Sequence, residues 1–166
     1  MRRLFFLIIG IVIGMTIQTA IAQNGNRGIV GLNHVGISVP NLDQAVAYYT
    51  KTLGFSEAFR NLDDKGKPTL VYVQISQNTF VELQPASPDR PAGISHFGVV
   101  VDNMGAATAM FRERGANVSE TRVSGTKAIL SNITDLNGIR MELAELPPDS
   151  LHRQAMDRWK ASNSGK

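Results

Sequence analysis

A chain of 166 residues with a formal charge of +3, 43% hydrophobic and 19% charged, has the apolar material for one domain or two small modules sharing a core. It contains no cysteine, which excludes disulfides, thiol catalysis, cysteine-held zinc and a lipid-modified cysteine. Arg2 and Arg3 supply two of the net positive charges, so the remainder is nearly balanced, and no Lys/Arg run points to a nucleic-acid partner.

The chain starts with two arginines, an apolar run at 4–17 and the small-residue triplet Ala20-Ile21-Ala22. That order predicts a secretory signal peptide, residues 1–22, cut between Ala22 and Gln23. The run is short of the roughly 20 residues that a membrane span needs. The expectation is an exported protein, periplasmic or secreted, with no stable membrane insertion after cleavage; an uncleaved N-terminal anchor is the alternative.

A flexible Gly/Asn-rich lead, 23–30, precedes the first module, 31–86. Residues 32–39 alternate, with Val35, Ile37 and Val39 on one face and His34, Gly36 and Ser38 on the other, which predicts a strand. Asn41 can cap a helix, with Gln44 three residues on. Leu42, Ala45, Val46, Tyr49 and Leu53 follow at helical spacing, and Gly54 ends the run. Strands are expected at 55–61, 69–76 and 79–84, with a tight turn at Gln77-Asn78 and a linker at 85–91. The order then repeats in a second module, 93–145. A strand at 94–101, a helix at 103–114 stopped by Gly115, and strands at 117–123, 126–132 and 139–144 complete it. Pro147-Pro148-Asp149 leads into a C-terminal helix within 146–160, whose Leu151, Ala155, Met156 and Trp159 form an apolar docking stripe. The tail, 161–166, is expected to be disordered.

The repeat is also visible in the residues. His34-Val35-Gly36-Ile37 returns 62 positions later as His96-Phe97-Gly98-Val99, and Val81-Glu82-Leu83 is matched by Met141-Glu142-Leu143. Two copies of one supersecondary unit are implied. In each, His and Glu share a strand face opposite an apolar one. A buried unpaired carboxylate is costly, so His34, Glu82, His96 and Glu142 are read together as ligands of one shared metal ion. With no sulfur in the set, Ni²⁺, Co²⁺, Mn²⁺, Fe²⁺ or Zn²⁺ would suit. Arg140 should face the same cavity, either to bind a substrate carboxylate or phosphate or to pair with Glu82 or Glu142. Ser38, Gln84 and Phe80 are further candidates to line it. Arg122 and Lys127 read as solvated strand charges, and His152 as a surface residue.

The stretches LNHVGISVPNLDQAVAYYTKTLGF, FVELQP, ISHFGVVVDNM and DLNGIRMEL resemble the vicinal oxygen chelate superfamily over about residues 30–145. That group includes glyoxalase I, methylmalonyl-CoA epimerase, extradiol dioxygenases, and fosfomycin and bleomycin resistance proteins. The resemblance implies an α+β fold in which two βαβββ modules form a curved, half-open mixed barrel with helices outside. It implies a set similar to the His-Glu-His-Glu ligands of bacterial-type glyoxalase I, where epimerases usually carry Gln at the second place. A glyoxalase I-like lyase or isomerase on a small oxygen-chelating molecule is therefore expected, with Glu142 rather than Glu82 as base on the strength of the resemblance. The alternatives are an Fe-dependent dioxygenase and a non-catalytic binding protein. Two modules per chain allow a self-contained monomer or a homodimer.

Overall fold

The computed structural model describes residues 28–164. The expected signal peptide, its cleavage point and residues 23–27 of the lead lie outside the described residues.

Eight strands form one sheet, and its centre is the seam between the two modules. In module 1 these are β1 (Ile29–Val39), β2 (Ser56–Leu62), β3 (Pro68–Ser76) and β4 (Thr79–Pro85); in module 2 they are β5 (Gly93–Val101), β6 (Arg122–Val123), β7 (Ile129–Thr134) and β8 (Arg140–Glu145). Their order across the sheet is β2-β3-β4-β1-β5-β8-β7-β6. β1 and β5 pair antiparallel in the middle. Each is flanked on its outer side by the last strand of its own module, in parallel. Two βαβββ modules are what the repeat implies, and their curled half-barrel is the architecture implied by the resemblance.

The convex face carries two helices, α1 (Leu42–Ala47) and α2 (Met104–Glu113). Asn41 and Asn103 cap them: each side-chain oxygen accepts a backbone N–H three residues on, from Gln44 at 3.0 Å and Ala106 at 2.8 Å. Beneath α1, Leu42 packs with Val71, Val73, Val81 and Leu83. Beneath α2, Met104 and Ala107 pack with Val101, Val118, Ile133 and Leu143. These are the apolar faces of the alternating strands, buried by the hydrophobic effect against the helices. Past Ala47 the first helix widens into a π-helical turn at Tyr48–Thr52, with the Leu53 N–H reaching back five residues to Tyr48.

A third helix, α3 (Leu151–Asn163), follows the repeat and is capped by Ser150. It packs on the opposite, concave face, where Ala155 and Met156 join Tyr72, Phe80, Leu130 and Ala144 in a third apolar cluster. Phe80, expected to line the cavity, is core beneath α3 instead. The helix runs three residues into the tail expected to lack structure. Among the described residues, no helix is long and apolar enough to cross a membrane.

Several boundaries depart from the sequence reading, among them the strand expected at 126–132, which runs over Ile129–Thr134. β1 starts at Ile29, inside the expected lead, because Ile29 and Gly31 pair with Val101 and Val100. The strand expected at 117–123 shrinks to Arg122–Val123 plus an isolated bridge from Val118 to Ile133. Ser119 is the reason: its hydroxyl oxygen accepts the Asn132 N–H at 2.8 Å, so a side chain stands in for the ladder. The expected linker at 85–91 is a tight turn, closed by Ser87 and Arg90, which exchange backbone hydrogen bonds.

Candidate metal centre

The four expected ligands come from the four central strands. Pairing across the sheet sets them in two rows. Tyr72, Glu82, Gly36 and His96 lie side by side on β3, β4, β1 and β5. His34, Gly98, Glu142 and Asn132 do the same on β1, β5, β8 and β7. In each row a glycine separates Glu from His, and the histidine ring lies over that glycine. A Cβ at Gly36 would stand 2.0 Å from His96 Cε1, and one at Gly98 the same distance from His34 Cε1. The glycine two places after each histidine is thus where the other histidine's ring sits.

All four ligands are buried, and their donor atoms lie within 4.8 Å of one another. His34 Nε2 is 3.1 Å from His96 Nε2, and 3.6 Å from a carboxylate oxygen of both Glu82 and Glu142. His96 Nε2 is 3.6 Å from Glu82. With metal–ligand bonds of about 2.0–2.2 Å, donors sharing one ion sit no more than about 4.4 Å apart. The 3.1 and 3.6 Å separations fall within that reach.

The far side of each ring fixes its proton. Nδ1 of His34 is 3.1 Å from Asn33 Oδ1, and the Asn33 amide donates to the Asn78 carbonyl, which identifies Oδ1 as the acceptor. Nδ1 of His96 is 2.9 Å from Ser95 Oγ, which donates to the Gly36 carbonyl and accepts from Gln84. Both Nδ1 atoms therefore carry the hydrogen and both Nε2 atoms present bare lone pairs. Two lone pairs and two carboxylates facing one another repel unless a cation lies among them. The residue before each histidine supplies the orienting group in both modules. Gln84, expected on the cavity wall, is there and also steadies His96 through Ser95.

Electrostatics break the symmetry of the repeat. Burial dominates at His34 and, helped by His96 and Arg140, outweighs Glu82 to pull it down to about 4. Burial pushes Glu82 up, but the imidazoles of His96 and His34 beside it, and the hydrogen bond it accepts from the Tyr72 hydroxyl, hold it below the usual carboxylate range. Burial and the Glu82 charge raise Glu142. Across from Glu142 stands Asn132, not a tyrosine, and it accepts from Arg140 Nη1 at 2.9 Å. Arg140 also lies 3.5 Å from Glu142, the ion pair that was one of its two expected roles.

A cavity of about 610 Å³ opens over this centre, lined by His34, Tyr72, Glu82, Gln84, Arg140 and Glu142 among others. Ser38 is buried beyond it and is not on its wall. Another cavity, about 730 Å³, lies by β1 and the start of α3 and holds none of the four ligands. Three basic wall residues were not among the sequence candidates. Arg122, expected to be solvated, reaches to 3.7 Å from Glu142. Arg90 arrives from the 85–91 turn. His152, expected on the surface, is 2% exposed, with its ring edge-on to Tyr72 at 4.5 Å between centroids. Burial, with His34 nearby, pulls it down to about 3. Its spacing with Ala155, Met156 and Trp159 places it on the docking stripe of α3; that spacing was readable in the sequence.

The sequence profile of the Glyoxalase/Bleomycin resistance protein/Dioxygenase superfamily matches residues 31–143. The chain belongs to this superfamily. It is 27% identical over 130 residues to an ethylmalonyl-CoA/methylmalonyl-CoA epimerase of Cereibacter sphaeroides, covering 69% of this chain and 97% of the relative. To a lactoylglutathione lyase of Salmonella typhimurium it is 28% identical over 123 residues, 69% of this chain and 91% of that one. The crystal structure of a methylmalonyl-CoA epimerase from Mycobacterium tuberculosis superposes with a TM-score of 0.64 at 23% identity, covering 74% of this chain and 91% of the other, which bears on the fold.

Proposed function

We propose that the protein is a divalent-metal-dependent isomerase or lyase that moves a proton at a carbon beside an oxygen-chelating group of a small molecule. The observation that supports this most is the meeting of four buried electron-pair donors with no hydrogen on either facing nitrogen. His34, Glu82, His96 and Glu142 would hold the ion. When bound there, a divalent ion supplies Lewis-acid polarisation of substrate oxygens.

The chain's own residues divide the remaining work. Asn33 and Ser95 keep the imidazoles aimed. Tyr72 ties Glu82 in place through its hydroxyl. Glu142 has no hydroxyl donor of that kind, its partner being Arg140 at 3.5 Å, and burial raises its carboxyl above the usual carboxylate range, which makes it the stronger base of the two. Glu142 is therefore the residue that takes up the substrate proton and returns it.

The relatives supply two substrate classes to try. The full chain, loaded with Co²⁺ or Mn²⁺, would be incubated in D₂O with methylmalonyl-CoA and separately with S-lactoylglutathione, and followed by proton NMR. Deuterium entering at the carbon beside the carbonyl, lost in Glu142→Gln, is the expected result. A metal-loaded protein that binds these molecules without any exchange would favour a non-catalytic binder. We also place the protein outside the cytoplasm, on the leader-like order of residues 2–22. N-terminal sequencing of the exported chain should then begin at Gln23, and a chain still beginning at Met1 would contradict cleavage.

A further inference from the structure

Native proteins pair their buried polar atoms, because a buried donor or acceptor left alone loses its bonds to water and gains none. Among the described residues, the buried side-chain atoms without a partner are Ser38 Oγ, Arg90 Nε and both ring nitrogens of His152. All but Ser38 belong to residues on the wall of the cavity over the metal centre. His152 is the sharper case. It occupies a position on α3 that an apolar side chain would fill without penalty, between Phe59 and Tyr72 at 4.8 and 4.5 Å between ring centroids. The aromatic rings fix its plane and supply no partner for either nitrogen. A neutral imidazole offers one donor and one acceptor.

Charge gives the second observation. The cations on this wall are Arg90, Arg122 and Arg140, and its acids are Glu82 and Glu142. A divalent ion on the two glutamates cancels their charge, which leaves the guanidiniums facing the cavity as an uncompensated positive rim.

We propose that the cavity takes a small anionic molecule, chelated through two oxygens at the four-ligand centre and hydrogen-bonded elsewhere by Arg90 and His152. This rests on the metal-dependent reading above and adds the charge of the ligand and the residues that select it. A carboxylate and a phosphonate end group share the required chemistry. The guanidinium binds either through planar, charged hydrogen bonds, and His152 rejects a ligand that leaves its nitrogens facing apolar atoms.

The test uses the full chain titrated first with Co²⁺, then with three hydroxamates by calorimetry. Acetohydroxamate carries no extra charge, succinate monohydroxamate adds a carboxylate, and phosphonoacetohydroxamate adds a phosphonate. At least one charged hydroxamate should bind ten or more times tighter than acetohydroxamate, and the tighter of the two names the end group. Arg90→Gln should erase that preference and leave Co²⁺ affinity as it was. His152→Phe should weaken the charged ligand about tenfold, and His152→Gln, which keeps a donor and an acceptor, should recover most of it. Should His152→Phe not fold, Arg90→Gln decides alone. Equal binding of charged and uncharged hydroxamates, or variants that bind like the parent, would overturn the proposal with the metal centre intact. Failure of the parent to bind Co²⁺ would instead take down the metal reading on which it stands.

Discussion

Adding one methyl group at Gly98 should strip the protein of metal while leaving it folded. The new Cβ would lie 2.0 Å from His34 Cε1, 2.3 Å from Nδ1 and 2.5 Å from Nε2. Non-bonded carbons settle at about 3.5–4.0 Å, so the ring would have to retreat by about 1.5 Å. It has little room, being 1% exposed and held at Nδ1 by Asn33. Metal–ligand distances tolerate about 0.2 Å, so the displaced Nε2 no longer shares an ion with His96. Overpacking of this kind costs about 1–3 kcal/mol of stability, which most domains survive. Loss of a ligand should cost at least 100-fold in metal affinity, about 2.7 kcal/mol. The assay is Co²⁺ titration against a competing chelator, with a thermal melt of the metal-free protein alongside. Gly31→Ala is the control, because a Cβ there meets nothing within 4 Å. Binding by Gly98→Ala within about threefold of the parent would refute the reasoning.

Other expectations follow from the same geometry. Ser95→Ala frees the His96 ring from its Nδ1 partner, and chelator competition should show metal affinity down about 10–100-fold. Tyr72→Phe removes the hydroxyl from Glu82; the metal-free protein should lose about 1 kcal/mol in urea titration, and a gain in stability would contradict the pairing. Asn103→Ala should cost about 1 kcal/mol of stability through the lost cap of α2, with metal affinity unchanged. The metal-free protein should also lose stability on mild acidification. His34 and His152 are held at about 4 and about 3 against an ordinary 6.5, so between those values the unfolded chain binds more protons than the folded one. Their contribution is complete above pH 6.5 and declines below it, by up to about 1.4 kcal/mol per pH unit for each. Urea titrations at pH 7.5, 6.5, 5.5 and 5 in the presence of a chelator should show this slope, shallower in His152→Phe; a flat profile would contradict the burial of both rings.

The repeat made the ligands legible. A match 62 residues apart, with His and Glu at like places on alternating strands, specified four residues that the fold brings together. The glycines after each histidine were visible too, but their purpose depends on the antiparallel pairing of β1 with β5, which a strand pattern does not state. Tyr72 was hidden by register. A two-residue turn at Gln77-Asn78 would set Val73 across from Glu82, but an irregularity between Gln74 and Ser76 moves the pairing by one and puts Tyr72 there. His152 was missed because the α3 stripe was counted from Leu151, one residue too early, and a histidine does not announce itself as core. Arg122 and Arg90 lie on a short strand and a turn whose direction is set by Ser119 and by the Ser87–Arg90 closure, both tertiary details. The helix caps needed no such detail, since Asn41 and Asn103 cap their helices through bonds three residues long.

If the two modules hold one metal ion between them, the purified protein should carry it. The chain beginning at Gln23, purified without added metal, would be measured by plasma mass spectrometry beside a His34→Ala/His96→Ala variant. Close to one divalent ion per chain is expected, Ni, Co, Mn, Fe or Zn, absent from the variant. A parent protein that holds no ion, even after reloading with each of these metals, would contradict it.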